Sequence, residues 1–598
     1  MAYEVTFQPM GRRVEASPDS TLLEAAQKAG ISLMAICGGQ GVCGRCIVRV
    51  MSGSVSEVTE IEAGELSPEE IAGGFRLACQ TQVRGDVLVT VPPESLETQQ
   101  RTQVEGQATP VAPLPAVDAV ELTVAPAALE DLRSDVTRLL DGLPADLTSL
   151  SVDIEALRTL SDDLRAWDWR ATAFLRGGEV IGVRPPGSAL LGLAVDLGTT
   201  KLAGYLLDLA SGETLAAAGA MNPQIAYGED VMARIAHALS KPQGGEDLRR
   251  VIVDGLNDLT QTLCKQAGAD PADIAEAVIV GNTAMHHLLL GLPVRQLGRA
   301  PYVPAVSESV SVRARDVGLA LASGAYVNVP PNIAGFVGAD HVAMLLASGL
   351  VEADGTVLGM DIGTNTEVSL KVGSRVLSCS TASGPAFEGA HITQGMRAAP
   401  GAIEHVALEG EKLLIKTIGD ERPVGFCGSG LLDMVAVLKQ MGILNGRGGM
   451  LEHPSVRRGD HGPEFVLLPA EANEGGEIVL TRNDISELQL AKGAMRAGVR
   501  VLATRAGIEE SAIDQVIVAG AFGTYLDVQS GVDIGMFPPL PRHRFRQVGN
   551  AAGAGARMAL LSLAERARAE TIAARVEYVE LTTAPEFERY FAQSLMLE

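Results

Sequence analysis

Three cysteines stand close together near the start of the chain, in the stretch MAICGGQGVCGRCIVRV at residues 34–50. Five residues separate Cys37 from Cys43, two separate Cys43 from Cys46, and Cys79 follows after thirty-two more. This C-x5-C-x2-C…C order is close to the C-x4-C-x2-C…C spacing that holds a [2Fe–2S] cluster. That chemistry needs four thiolates on two irons. It also needs a loop of low bulk, so that backbone N–H groups can reach the bridging sulfides. Gly38, Gly39, Gly41 and Gly44 meet the second need. Two other readings use the same residues. One is a four-cysteine zinc site, which favours paired C-x2-C knuckles where this chain has one; the other is a loop of reduced thiols. Cys264, Cys379 and Cys427 form no ligand set by spacing and are expected as small buried residues.

A second chemistry-bearing pattern occurs twice. GLAVDLGTTKLAGYLLD (192–208) and VLGMDIGTNTEVSLKV (357–372) are each an apolar strand, then D-x-G-T, then another β-like stretch. Asp196 and Asp361, Gly198 and Gly363, and Thr199 and Thr364 are all 165 residues apart, which predicts a duplicated subdomain. The glycine lets backbone N–H groups approach an anion, the threonine adds a donor, and the aspartate can hold Mg²⁺ or a metal-bound water. Two such turns face to face would clamp a polyphosphate. A third element, DQVIVAGAFGTYLD (514–527), runs a strand into Gly520-Ala521-Phe522-Gly523, where small residues would let an adenosine lie against backbone. No G-x-x-x-x-G-K-[ST] is present, and VGNAAGAGARM (548–558) has its glycines in the wrong order for a dinucleotide fingerprint.

The elements that must position these groups can be read along the chain. Residues 1–93 predict a β-rich domain: a hairpin turning at Met10-Gly11, a helix over SPDSTLLEAAQKAG with a Ser or Asp cap and a closing Gly30, and strands in GRCIVRVMSG and GDVLVTVPPE. LSPEEIAG predicts a short helix opened by Pro68. Residues 94–116 read as a flexible linker, semi-extended at its proline-rich end. Residues 117–188 predict a small α/β unit with helices over PAALEDLRSDVTRLLDGL and DIEALRTLSDDLR. Residues 189–598 alternate strands and helices throughout, which predicts an α/β class. A length of 598 residues fits several domains. A net charge of −25 argues against nucleic acid or an anionic membrane as partner. No run of eighteen apolar residues occurs, and MAYEVTFQPMGRR lacks the pattern of a signal peptide. Seven cysteines are too few for a disulfide scaffold, so a cytoplasmic protein is expected.

The order of strands, helix, cysteine loop and late RLACQTQV resembles the β-grasp [2Fe–2S] ferredoxins. GLAVDLGTTK, GMDIGTNTE and VIVAGAFG resemble the phosphate-1, phosphate-2 and adenosine motifs of the acetate and sugar kinase, Hsp70 and actin superfamily (ASKHA). That resemblance implies two RNase-H-like lobes closing on ATP and Mg²⁺. It implies Asp196 and Asp361 as Mg²⁺-side catalytic carboxylates. Gly198, Thr199, Thr200, Gly363, Thr364 and Asn365 become phosphate contacts, and Gly520 and Gly523 come to lie at the adenosine. Thr200 answers Asn365 in the repeat, so the two turns differ in chemistry.

A ferredoxin-like domain, a linker, a small unit and an ASKHA-type domain in one chain together resemble the reductive activators of corrinoid proteins. Further stretches carry the resemblance: NPQIAYGEDVMARI (222–235), VGNTAMHHLLLGL (280–292), PPNIAGFVGAD (330–340), STASGPAFEGAHITQGMRAAPGAIE (380–404), FCGSGLLD (426–433) and DISELQLAKGAMRAGV (484–499). The family implies ATP-dependent, one-electron reduction of an inactive Co(II) corrinoid to Co(I) on a methyltransferase protein, an upstream low-potential donor and a homodimer. Ser383 and Glu388 could meet the cobalt face, sense ATP, or shape a turn. His286 and His287 are expected in packing. Lys492, on an amphipathic helix, could reach the nucleotide or solvent. Two alternatives are an electron injector for another low-potential acceptor, like the 2-hydroxyacyl-CoA dehydratase activators, and a redox-sensing Hsp70-like binding module.

Overall fold

The computed structural model describes residues 2–8, 12–29, 31, 33, 35, 39, 41, 44, 46–92, 95, 110–144, 151–389, 391–410, 412–459, 462–473 and 476–597. The Met10-Gly11 turn, Gly30 and most of the linker at 94–116 lie outside them.

The N-terminal part is a five-stranded sheet in the order Arg12–Ala16, Tyr3–Gln8, Val83–Thr90, Ile47–Val55, Phe75–Leu77. The first two strands pair antiparallel with Tyr3 opposite Ala16, and Tyr3–Gln8 runs parallel to Val83–Thr90. The helix Leu22–Lys28 buries Leu22 and Ala26 in the same core as Val5 and Val89. Its cap is Thr21, not the expected Ser or Asp. Thr21 and Glu24 bond each other's backbone N–H in a capping box, while Ser20 is turned back onto the Ser17 carbonyl. Pro68 opens the helix Pro68–Ala72 as expected.

A buried ion pair locks the approach to Cys79. Arg76 donates Nε and Nη2 to the two oxygens of Glu62 at 2.9 Å each, and Leu77 N–H and Thr81 Oγ1 also donate to Glu62. Burial alone would raise the Glu62 pKa, but hydrogen bonds from Arg76 and Thr59 outweigh it and hold the acid below 4.5. The contribution of the pair is therefore complete at neutral pH and lost only as pH falls through that lowered value. Removing one partner of such a pair costs about 3 kcal/mol. Glu62→Ala is thus expected to lower the melting temperature of the N-terminal sheet domain, with melting of the large domain unchanged.

The small unit is a four-stranded sheet in the order Asp118–Thr123, Arg170–Arg176, Glu179–Arg184, Ser151–Val152. The second expected helix is present as Ile154–Ala166. The first is much shorter than expected, Asp135–Asp141. Residues 126–133 turn instead, because the buried Arg138 gathers the Ala125 and Pro126 carbonyls and the Asp131 carboxylate around its guanidinium. Ion pairs fasten this unit to the large domain: Arg176–Glu276, Arg184–Asp273, Glu179–Arg313 and Asp153–Arg315. The described end of the linker is also fixed. Leu114 N–H donates to the Leu561 carbonyl at 2.8 Å, and Leu563 N–H donates to Leu114 at 2.9 Å.

Residues 189–598 build two six-stranded sheets of matching design. In the first, Leu191–Leu197 pairs antiparallel with Lys201–Asp208, which pairs antiparallel with Thr214–Met221; on its other side Leu191–Leu197 runs parallel to Ile274–Gly281. In the second, Val357–Ile362, Thr366–Val372 and Arg375–Thr381 form the same meander, with Gln515–Ala519 parallel to Val357–Ile362. The duplication read from the spacing is therefore a duplication of sheet topology. Helix Ala339–Ser348 links the lobes and packs on helix Ala551–Leu561. A Cβ on Gly555 would lie 2.1 Å from the Ala343 carbonyl oxygen, so only glycine permits that approach. The stretch expected as an amphipathic helix is part of a 25-residue helix, Arg482–Ala506, that is buried on nearly all sides. Lys492 is fully buried there and donates to the Met596 carbonyl; it reaches neither the cavity between the lobes nor solvent.

Candidate functional site

Both D-x-G-T turns open onto one cavity of about 240 Å³ between the two lobes. Asp196 and Asp361 stand near the ends of equivalent strands on its floor. Burial raises the Asp196 pKa to about 6, and the Asn550 amide, 3.0 Å away, limits the rise. Asp361 is pushed up to about 8 by burial and by the charges of Asp340 and Asp196. Asp340 and Glu367 share the cavity and are raised for the same reasons. Four mutually repelling carboxyl groups facing one cavity suit a cation. Among the described residues no three His, Cys, Asp or Glu side chains converge closely enough to hold a metal unaided. A divalent ion held here would therefore need further ligands, such as waters or oxygens of a bound molecule, beside these carboxyl groups.

The turn after Asp196 is held from behind. Asn222 Nδ2 donates to the Gly198 carbonyl at 2.8 Å, and Asn282 Nδ2 to Thr199 Oγ1 at 2.9 Å. Arg234, fully buried, donates to the carbonyls of Thr199 and Gly228 and to Gln224 Oε1. Burial pulls its pKa down to about 9. Gly198 is required, since a Cβ would lie 2.6 Å from the Lys201 carbonyl oxygen. Arg234→Met should weaken anion binding at this turn about ten-fold, the loss of one charge-assisted bond. Arg234→Lys should not rescue it, because a single ammonium cannot serve three acceptors in fork geometry.

Across the cleft, Gly363, Thr364 and Asn365 line the cavity with Thr200. Gly520 has φ +91°, and a Cβ there would lie 2.4 Å from the Ile362 carbonyl oxygen and 3.0 Å from Asp361 Oδ1. Gly523 does not line the cavity; its α-carbon faces the Val518 side chain. Phe522 and Tyr525 from the same turn do line it, and the Phe522 ring lies 4.5 Å from that of Phe387. Ser383 sits behind the second turn, bonded to Thr366 Oγ1 at 2.9 Å. Glu388 faces the cavity. His286 and His287 are buried in packing, and His287 Nε2 accepts the Ala305 N–H.

Several site residues escaped the sequence reading: Asp340, Glu367, Asn282, Asn550 and the cations Lys201 and Arg397. Two of them had a signal. Val280-Gly281-Asn282 and Val548-Gly549-Asn550 each carry a strand through Val-Gly into a helix that begins after the asparagine. Each asparagine caps its helix and bonds a residue of the first D-x-G-T turn.

In the N-terminal sheet domain Cys46 and Cys79 are buried, while Cys37 and Cys43 lie outside the described residues. Gly39, Gly41 and Gly44 all have positive φ. Gln80 Nε2 donates to the Gly39 carbonyl at 3.0 Å and lies 3.5 Å from Cys79 Sγ, tying the loop to the fourth cysteine.

Fold and site together define a ferredoxin-type [2Fe–2S] module joined to a two-lobed ASKHA domain. Residues 5–84 match the 2Fe-2S iron-sulfur cluster binding domain, and 106–189, 191–353 and 355–598 match the RACo linker region, the RACo middle region and the C-terminal ASKHA domain of RACo. The chain is 32% identical to the corrinoid activation enzyme RamQ of Eubacterium limosum, over 99% of this chain and 98% of that one. It is 27% identical to a [Co(II) methylated amine-specific corrinoid protein] reductase of Methanosarcina barkeri, over 67% and 76% of the two chains. A solved reductive activator for corrinoid, iron-sulfur protein superposes with a TM-score of 0.74 at 35% identity, covering 100% of this chain and 98% of that one. This chain belongs to the RACo family of corrinoid activators.

Proposed function

We propose that this chain uses ATP to deliver one electron, from a [2Fe–2S] cluster held by Cys37, Cys43, Cys46 and Cys79, to the Co(II) corrinoid of a methyltransferase partner, returning it to Co(I). The observation that carries the reading is one cavity lined by a D-x-G-T turn from each lobe, in a chain that also holds a ferredoxin-type module. A [2Fe–2S] centre of this type supplies single electrons near about −400 mV. The Co(II)/Co(I) couple is expected lower, and each 60 mV of uphill one-electron transfer costs about 1.4 kcal/mol. ATP offsets that cost if the protein's ATP-bound and ATP-free states bind the two redox states of the partner differently.

In this reading residues 1–93 carry the electron, 94–116 tether it, 117–188 brace the first lobe, and 189–598 bind nucleotide. Asp196 and Asp361 orient the Mg²⁺ of Mg-ATP. Gly198, Thr199, Thr200, Gly363, Thr364 and Asn365 take the phosphates, and Gly520 lies at the adenosine with Phe522 and Tyr525. Electrons enter from an upstream low-potential donor, and the protein works as a cytoplasmic homodimer. Among the described residues no helix is long and apolar enough to cross a membrane.

The test mixes the anaerobically reduced protein with a Co(II) corrinoid protein, with and without Mg-ATP, and follows the Co(I) absorption band. Co(I) should appear only with ATP. Co(I) without ATP, or none with any corrinoid partner, rejects the proposal.

A further inference from the structure

One hydroxyl from each lobe reaches the same point of the cavity, and a carboxylate of this chain sits there. Thr200 Oγ1 on the first phosphate turn and Thr364 Oγ1 on the second lie 3.0 Å apart. Both donate to the same atom, Glu388 Oε1, at 3.2 and 2.7 Å. The Glu388 charge acts on Lys201 and on the buried Arg234, and Arg397 lines the same wall. Two hydroxyl donors backed by cations are what a phosphoryl oxygen would seek. A carboxylate and a phosphate both take such donors through anionic oxygens, so they compete for them.

We propose that Glu388 holds the seat of the terminal phosphate of ATP and is displaced by it, so that this residue sets the preference between ATP and ADP. The inference rests on the nucleotide reading above. ADP, one phosphate shorter, leaves Glu388 bonded to Thr200 and Thr364. ATP takes both hydroxyls and releases the Pro385–Glu388 turn. That turn is not isolated. The Phe387 ring packs on Phe522, and a Cβ on Gly428, the first residue of helix Gly428–Gln440, would lie 2.0 Å from the Phe387 carbonyl oxygen. Release of Glu388 is therefore passed to the adenosine-side turn and to the start of that helix.

The experiment is calorimetric titration of the full chain with Mg²⁺ and either ADP or a non-hydrolysable ATP analogue, for wild type, Glu388→Gln, Glu388→Asp and Glu388→Ala. Removing the competing anion should tighten the ATP analogue about ten-fold in the Gln and Ala variants, the factor set by one charge-assisted hydrogen bond. ADP should move less than about two-fold, and Glu388→Asp, whose shorter arm keeps the charge but loosens the bonds, should fall between. Glu388→Gln keeps the size of the side chain and supplies the answer if Glu388→Ala does not fold. An ATP analogue that binds more weakly or unchanged, or two nucleotides that shift by the same factor, overturns the inference. If wild type binds neither nucleotide, the nucleotide reading fails with it; if wild type binds both and the ratio stays fixed in the variants, the Glu388 inference alone fails.

Discussion

Asp361→Asn is expected to stop ATP hydrolysis, by about a thousand-fold or more, and to leave the visible spectrum of the cluster intact. The argument starts from charge. Asp361 stands in a cavity with Asp196, Asp340 and Glu367, and its acid is pushed up to about 8. Ionised, it attracts a divalent ion; an asparagine of the same shape offers an oxygen without the charge. Losing one electrostatic group at a phosphoryl-transfer centre costs about 10²–10³ in rate, and more when a metal goes with it. The ferredoxin-type module has a hydrophobic core of its own, so its spectrum should not respond. ATP-driven Co(I) formation should fail together with hydrolysis. The same variant should melt higher than wild type in EDTA at pH 8, because it removes one of four repelling groups. Loss of both ATPase and cluster absorption would assign Asp361 a structural role instead.

The second large effect is a stability that runs against the usual carboxylate trend. A carboxyl group whose pKa is higher in the folded protein than in the unfolded chain binds more protons when folded. Its stabilisation is complete below the unfolded value, near 3.8, and is lost as pH rises through the folded value. For Asp196 and Asp361 those values are about 6 and 8, and Asp340 and Glu367 are shifted in the same direction. Asn550 bonds Asp196, Ser380 bonds Glu367 at 3.0 Å, and Arg557 lies over the Tyr205 ring beside them. One pKa unit corresponds to about 1.4 kcal/mol, so the combined loss is on the order of several kcal/mol. In EDTA, the melting temperature of the large domain should fall between pH 6 and pH 8.5. Mg-ATP should restore it most at pH 8.5 and little at pH 6, since the ion competes with protons for the same oxygens. A melting temperature that stays level or climbs over this window without metal would contradict the arrangement of charges.

What could be read in advance follows from how local each signal is. The paired D-x-G-T turns were legible because an apolar strand, an aspartate and a glycine turn are consecutive, and the repeat doubles the signal. Asp340 was not, because a single aspartate in the first turn of a helix is common; only the fold brings it to Asp361. The short helix Asp135–Asp141 was overestimated because the sequence periodicity cannot show that Arg138 folds the preceding segment around itself. Lys492 was misread for a related reason. A helix buried on nearly all sides carries its lysine into the interior when a distant carbonyl, that of Met596, is there to receive it. Gly523 looked equivalent to Gly520 in GAFG, but only the first glycine lies where the strand ends at the cavity; the second is one turn along a helix and faces Val518.

The contact between Leu114 and Leu561–Leu563 also has a consequence for synthesis. These residues are about 450 positions apart, and the core that includes Val117, Leu190, Leu207 and Val278 is completed by Ala556, Ala559 and Leu560. The first lobe therefore lacks part of its own interior until the chain is almost finished. Once the strand ending at Val329 has been made, a ribosome adding about 5–20 residues per second takes roughly 10–50 s to supply the missing helix through Leu561. During that interval the apolar side of the first lobe has no native partner, and the ferredoxin-type module, whose core is made from residues 5–91, can already be closed. The lobe encoded first thus waits on a helix near the far end of the chain, and the second lobe, which needs Val576–Tyr578 and Leu597, closes only after that.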